Sequence, residues 1–228
     1  MKVKQQTLAQ RINVIRASVM GANDGILSVA GIVIGVAGAT TNSFAIFISG
    51  IAGMIAGTVS MAMGEWVSVS TEKDSQRNAI NSQKHALANN YQGEFDAVKQ
   101  KYIADGIDTT LATKATQEMM SRDSLVTTVR EKYGFNVNEF TNPYAAAIAS
   151  MISFPTGSIL PLAAIGLFPS HLRVEMTFIA VIIALAITGY SAAVLSKANR
   201  NRSMLRNIIS GMLTMVITYL IGKIIGTL

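Results

Sequence analysis

Five apolar runs of about 25 residues each, roughly 14–39, 44–69, 144–168, 174–196 and 204–228, constrain this chain more than any other feature. A helix of about 20 apolar residues crosses a ~30 Å hydrocarbon core, so each run is long enough to span a bilayer with some tilt. The expected fold is therefore an all-α integral membrane protein with five transmembrane helices. Charged residues make up 14% of the chain, against the ~25% typical of soluble domains. Cysteine is absent, which removes disulfides, thiolate–zinc sites and thiol catalysis together. Two histidines, His85 and His171, exclude a multi-histidine metal site within one chain.

Charge divides the sequence into a body and an insertion. Ten of the thirteen acidic residues fall between positions 70 and 140. Three segments follow: residues 1–69 with the first two spans, a polar insertion at 70–140, and residues 141–228 with spans three to five. Within the insertion, the second span is expected to continue as a polar helix to Asn90. A helix over 94–104 and another over 109–133 complete three, with Asp108 placed to cap the last.

Asp24 lies inside the first span, in Met20-Gly-Ala-Asn-Asp-Gly-Ile. A carboxylate at that depth is costly and marks a functional position, unless it caps a broken helix or pairs with Arg16. Gly21 and Gly25 permit close helix approach or local unwinding beside it, and the Gly31/Gly35 and Gly53/Gly57 pairs repeat the spacing. Asp24 stands 15 residues before Ala39 and Met61 stands 17 after Phe44. An antiparallel pair of helices then brings them within about 3 Å in depth. A hard oxygen beside a soft thioether suits a borderline divalent ion such as Fe²⁺ better than Na⁺ or Ca²⁺.

Met54, Thr58, Met61, Glu65, Ser68 and Glu72 recur at offsets of three and four, on one helix face. Polarity along one face of a span reads as the lining of a path, with Glu65 a second carrier of protons or metal and Asn23 beside Asp24 in the same path. In the insertion, Met120 and Asp123 share a face next to Met119. Two thioethers beside a carboxylate can bind metal, and equally can be ordinary packing in a small helical core. Pro155 and Pro161 interrupt the third span, which kinks such a helix or opens a cavity along it.

Ten basic residues lie outside the insertion. Eight (Lys2, Lys4, Arg11, Arg16, Lys197, Arg200, Arg202, Arg206) fall on the insertion's side of the five spans, and Arg173 and Lys223 fall opposite. The positive-inside rule then places the N-terminus and the insertion in the cytoplasm. The net charge of +6 is a membrane-flank pattern rather than a nucleic-acid footprint. The first run is too long for a cleavable signal peptide, and a bacterial plasma membrane is the expected location.

Taken together, Arg16-Ala-Ser-Val-Met-Gly-Ala-Asn-Asp-Gly-Ile, Ser60-Met-Ala-Met-Gly-Glu-Trp-Val-Ser-Val-Ser and Phe154…Leu160-Pro161-Leu162 resemble the vacuolar iron transporter family. The resemblance covers nearly the whole chain. It implies a five-helix homodimer moving Fe²⁺, often also Mn²⁺, against H⁺, with no permanently bound cofactor. It assigns the membrane path to Asp24 and Met61, and metal collection in a cytoplasmic three-helix domain to Glu72, Glu94, Met119, Met120 and Asp123. The chain departs from that pattern in keeping Asp123 where the family's Met-Met-x-x-Glu has Glu. It also has Gln83-x-x-Ala86 and Glu94-x-x-Ala97 where Glu-x-x-Glu pairs fall. Fewer anionic oxygens imply weak loading, on the order of micromolar or poorer.

Two other classes compete with a proton-coupled transporter. A membrane protein that only buffers or senses metal needs neither Asp24 nor the stripe, and an intramembrane enzyme lacks a visible nucleophile–base pair.

Overall fold

A computed structural model describes residues 8–228, so Lys2 and Lys4 of the basic N-terminal flank lie outside the described residues. The described chain is helical, in the order α1 (Leu8–Ala39), α2 (Ser43–Asn89), α3 (Tyr91–Ala104), α4 (Thr109–Tyr133), α5 (Pro143–Leu167), α6 (Arg173–Ser196) and α7 (Arg200–Gly226). Five of these, α1, α2, α5, α6 and α7, are long and apolar enough to cross a membrane. The chain forms two compact units. One holds residues 8–10 with Ser68–Asn142, and the other holds Arg11–Val67 with Pro143–Leu228. The division falls within α2, whose 47 residues run on as one helix where its sequence turns from apolar to polar.

In the apolar unit α1 is the central helix. Ile26, Val29, Ala30, Val33 and Ile34 supply five of the twelve residues of the buried cluster, which Ile46, Phe154, Leu162, Ile165, Val181, Leu185 and Met215 complete from α2, α5, α6 and α7. Small residues make this centrality possible. A Cβ on Gly25 would meet the Phe154 carbonyl, and one on Gly157 would meet the Ala22 carbonyl, so α1 and α5 touch backbone to backbone. Farther along, a Cβ on Gly222 of α7 would strike the Gly35 carbonyl. The Gly31/Gly35 pair of α1 therefore packs on α7, whereas Gly53 and Gly57 of α2 receive the side chains of Ile32 and Phe154. Lipid is as apolar as leucine, so such close dispersion contacts are what hold helices together in a bilayer.

Hydroxyls and one arginine complete the seams. Ser158 donates to the carbonyls of Phe154 (2.9 Å) and Gly25 (3.2 Å), joining α5 to α1. α5 continues as a helix through Pro155 and Pro161, where Thr156 donates to the Ile152 carbonyl at 2.7 Å. Arg173, buried at the start of α6, donates to the Ser43 hydroxyl and the Thr41 carbonyl, both at 2.9 Å, and so ties down the α1–α2 connection.

The polar unit contains the end of α2 with α3 and α4. Asp108 caps α4 by accepting from the amides of Thr110 and Leu111, and Gly134 ends it in the left-handed conformation at φ 74°. Val98, Ala112, Met120 and Val129 are buried there.

Gly157→Ala puts a methyl against the Ala22 carbonyl, a backbone atom that cannot rotate away. The expected cost is about 1–3 kcal/mol, read as a lowered unfolding temperature of the detergent-solubilised protein. An unchanged temperature would mean that α1 and α5 stand farther apart than described.

Candidate functional site

Asp24 stands midway along α1, with its carboxylate exposed on the surface of the single chain and accepting from the Ser28 hydroxyl at 2.9 Å. Asn23 turns the other way. Its Oδ1 accepts from Asn207 Nδ2 at 3.1 Å and from the Thr188 hydroxyl at 3.4 Å, binding α1 to α7 and α6. Successive helical residues point about 100° apart, so the amide and the carboxylate serve different faces. Gly25, next in line, lies buried against α5. Asn23 thus acts as a polar pin inside the apolar unit, and Asp24 is left on its open side.

On α2 the face carrying Met54, Thr58, Met61 and Glu65 is turned inward. Met54 and Met61 pack against the buried cluster, and Glu65 is 7% exposed. Ile55, Val59, Met63 and Val67 are exposed instead. Glu65 is held by Arg16 of α1 through two parallel contacts, Nη2 to Oε2 at 3.0 Å and Nη1 to Oε1 at 3.4 Å. A two-pronged guanidinium–carboxylate contact is the strong form of ion pair. The partner of Arg16 is therefore Glu65 and not Asp24. Arg16 Nη1 also lies 3.3 Å from the Met20 sulfur.

In the polar unit the five residues that the resemblance assigns to metal have other engagements. Glu94 accepts from both Gln83 of α2 and Lys132 of α4. Met120 is buried in the unit's core. The Met119 sulfur takes contacts from the Tyr102 hydroxyl (3.7 Å) and Arg130 Nη2 (3.3 Å). Asp123 is the one residue of α4 with extended backbone angles, φ −159° and ψ 100°. Its Oδ1 accepts from the Val126 amide at 2.9 Å, so it caps the second half of a kinked helix. Glu72 is exposed and accepts from Gln76. Among the described residues no three carboxylate or imidazole groups gather into a metal cluster.

Sequence reasoning missed the Arg16–Glu65 pair, although a signal was present. Arg16 stands 23 residues before Ala39 and Glu65 stands 21 after Phe44, the same difference of two that placed Asp24 level with Met61. The Lys132–Glu94 pair, 38 residues apart on helices joined by a turn, left no comparable trace.

The profile of the VIT family matches residues 15–223. The chain is 32% identical over 215 residues to a "Vacuolar iron transporter" of Acanthamoeba castellanii, covering 94% of this chain and 79% of that protein. It is 31% identical over 220 residues to "Vacuolar iron transporter homolog 2.1" of Arabidopsis thaliana, covering 96% and 84%. With "Vacuolar iron transporter homolog 1" of Oryza sativa subsp. japonica the identity is 34% over 213 residues, covering 93% and 74%.

Burial is the largest influence on Glu94 and pushes its pKa up, but the hydrogen bonds from Lys132 and Gln83 and the Lys132 charge together hold it below the usual glutamate range. A lowered folded-state pKa stabilises the fold above the unfolded value of ~4.3, and that contribution disappears as pH falls through the lower folded value. Lys132→Met is expected to cost on the order of 1–3 kcal/mol near neutral pH by leaving the carboxylate without its cation. The deficit relative to the parent protein should shrink as pH falls below ~4. Unfolding curves at a series of pH values measure this, and a pH-independent deficit would mean that packing rather than charge is lost.

Proposed function

The chain belongs to the VIT family, and from that footing we propose that it moves Fe²⁺, and with it Mn²⁺, out of the cytoplasm in exchange for protons. At the coarser level it is a membrane metal transporter rather than an enzyme. The observation that carries the finer reading is Asp24: an ionisable group midway along an apolar helix, exposed on the single chain and met there by the Ser28 hydroxyl. Lipid does not tolerate a bare carboxylate at that depth. A second copy of the chain would cover it and leave a polar path between the two, which is the support for a homodimer. Metal and proton then compete for one carboxylate, which couples their movements.

Met61 and Glu65 follow Asp24 in this path, with thioether and carboxylate supplying soft and hard donors to a borderline ion. Asn23 contributes by fixing the rotation of α1. In this reading the N-terminus and the Ser68–Asn142 unit face the cytoplasm, by the excess of basic residues on that side. Efflux is then across a bacterial plasma membrane, whereas the relatives carry the name of vacuolar iron transporters or their homologs. The polar unit is a weak metal collector at best, because Lys132 already neutralises Glu94 and Asp123 is spent on a helix cap. The same engagements weigh against a protein that only buffers metal.

Flux of Fe²⁺ and Mn²⁺ into sealed liposomes, with and without a pH gradient, is the direct test. Asp24→Asn keeps the shape and removes the charge, so metal-driven proton movement is expected to fall to background with the protein still folded. Normal coupled flux in that variant would remove Asp24 from the mechanism. Met61→Leu conserves volume and loses the sulfur. It is expected to raise the KM for Fe²⁺ about tenfold, the loss of one modest ligand contact, at unchanged protein level. An unaltered KM would return Met61 to packing.

A further inference from the structure

Arg16 sits between two donors of different character. Its Nη1 lies 3.4 Å from the Glu65 carboxylate and 3.3 Å from the Met20 sulfur, so both donors surround one nitrogen of one cation. Glu65 is buried, whereas Arg16 has 44% of its side chain exposed and Met20 is 48% exposed. The positive charge at this point is thus the removable partner. A long arginine stem can swing its guanidinium out to water or lipid head groups, but the carboxylate beneath cannot leave.

We infer that Arg16 is a tethered cation occupying a divalent-metal loading site whose protein donors are the Glu65 carboxylate and the Met20 thioether. The inference rests on the transport reading for its role, but not for its chemistry. An ion pair between α1 and α2 accounts for the two contacts to Glu65, and Met20, one helical turn along α1 from Arg16, brings its thioether to the same guanidinium. Once Arg16 swings out, the carboxylate and sulfur are left facing a space that had held a positive charge. Two donors leave several coordination positions to water, which the exposed rim at Met20 supplies. Binding is accordingly weak enough to release. The sulfur favours Fe²⁺, Co²⁺ or Cd²⁺ over Mg²⁺. Met61, one helical turn before Glu65 on the same face, offers the next soft donor.

Arg16 works against occupancy, which makes its removal informative. The experiment uses the full chain in lipid nanodiscs, carrying Asp24→Asn so that the central carboxylate adds no signal, with Co²⁺ as the probe followed by its absorption. Arg16→Gln is expected to tighten Co²⁺ binding about tenfold. Adding Met20→Leu to that variant is expected to return most of the gain, while Mg²⁺ binding stays the same in both. A folded Arg16→Gln variant with unchanged or weaker Co²⁺ affinity would overturn the inference and leave the pair as a structural tie. Should Arg16→Gln fail to fold, Met20→Leu alone decides: a several-fold loss of Co²⁺ affinity supports the site, and none overturns it. Absence of metal flux in the unmodified protein would instead overturn the transport reading, and the Co²⁺ titration is independent of it.

Discussion

Backbone contact along α1 is the constraint on which the apolar unit depends. Gly25 and Gly157 let α1 and α5 touch without side chains between them, and Gly222 does the same for α7 against Gly35. Contacts this close admit one rotation of the helix. Every polar residue of α1 inherits its direction from that rotation. Asn23 meets Thr188 and Asn207, Asp24 is left on the open side, and Arg16 faces α2. An alanine in the seam would not remove a polar group, but it would re-aim three of them.

Charges in the chain are handled in two ways. Glu65, Glu94 and Glu131 are shielded from solvent and each has a basic partner: Arg16, Lys132, and Lys101 with Arg130. Around Glu131, burial pushes its pKa up, but the Tyr102, Lys101 and Arg130 hydrogen bonds outweigh it and leave the carboxyl below its usual range. Among the described residues, Asp24 has only the neutral Ser28 hydroxyl. A shielded charge with a cation is a structural element until that cation is exchanged. A carboxylate without one, in an apolar helix, is costly to hold at that depth. That difference separates Asp24 from Glu65, Glu94 and Glu131 more sharply than its position in the span does.

In the polar unit, residues that the resemblance assigns to metal also serve architecture. An aspartate at position 123 is short enough to reach back to the Val126 amide and restart a kinked helix, a capping role for which Asp is favoured. Gln83 is a donor where a carboxylate would repel Glu94, and Lys132 completes the neutralisation. The three helices are joined by an ion-pair and amide junction through Glu94.

The sequence by itself determined the number of spanning helices, the polar character of residues 70–140, the Asp108 cap and the singular position of Asp24. Run length, composition and short-range capping are local properties, and the bilayer's thickness converts them directly into architecture. Even the Arg16–Glu65 level was present in the matched counts from the α1–α2 connection, because an antiparallel pair of helices has a fixed rise per residue. Tertiary structure alone decided which way each polar group points. Rotation of α1 follows from glycine contacts with α5 and α7, well over a hundred residues away in the chain. The partner of Glu94 was likewise decided by how α2, α3 and α4 converge. A periodicity says that two residues share a face; only packing says what that face meets.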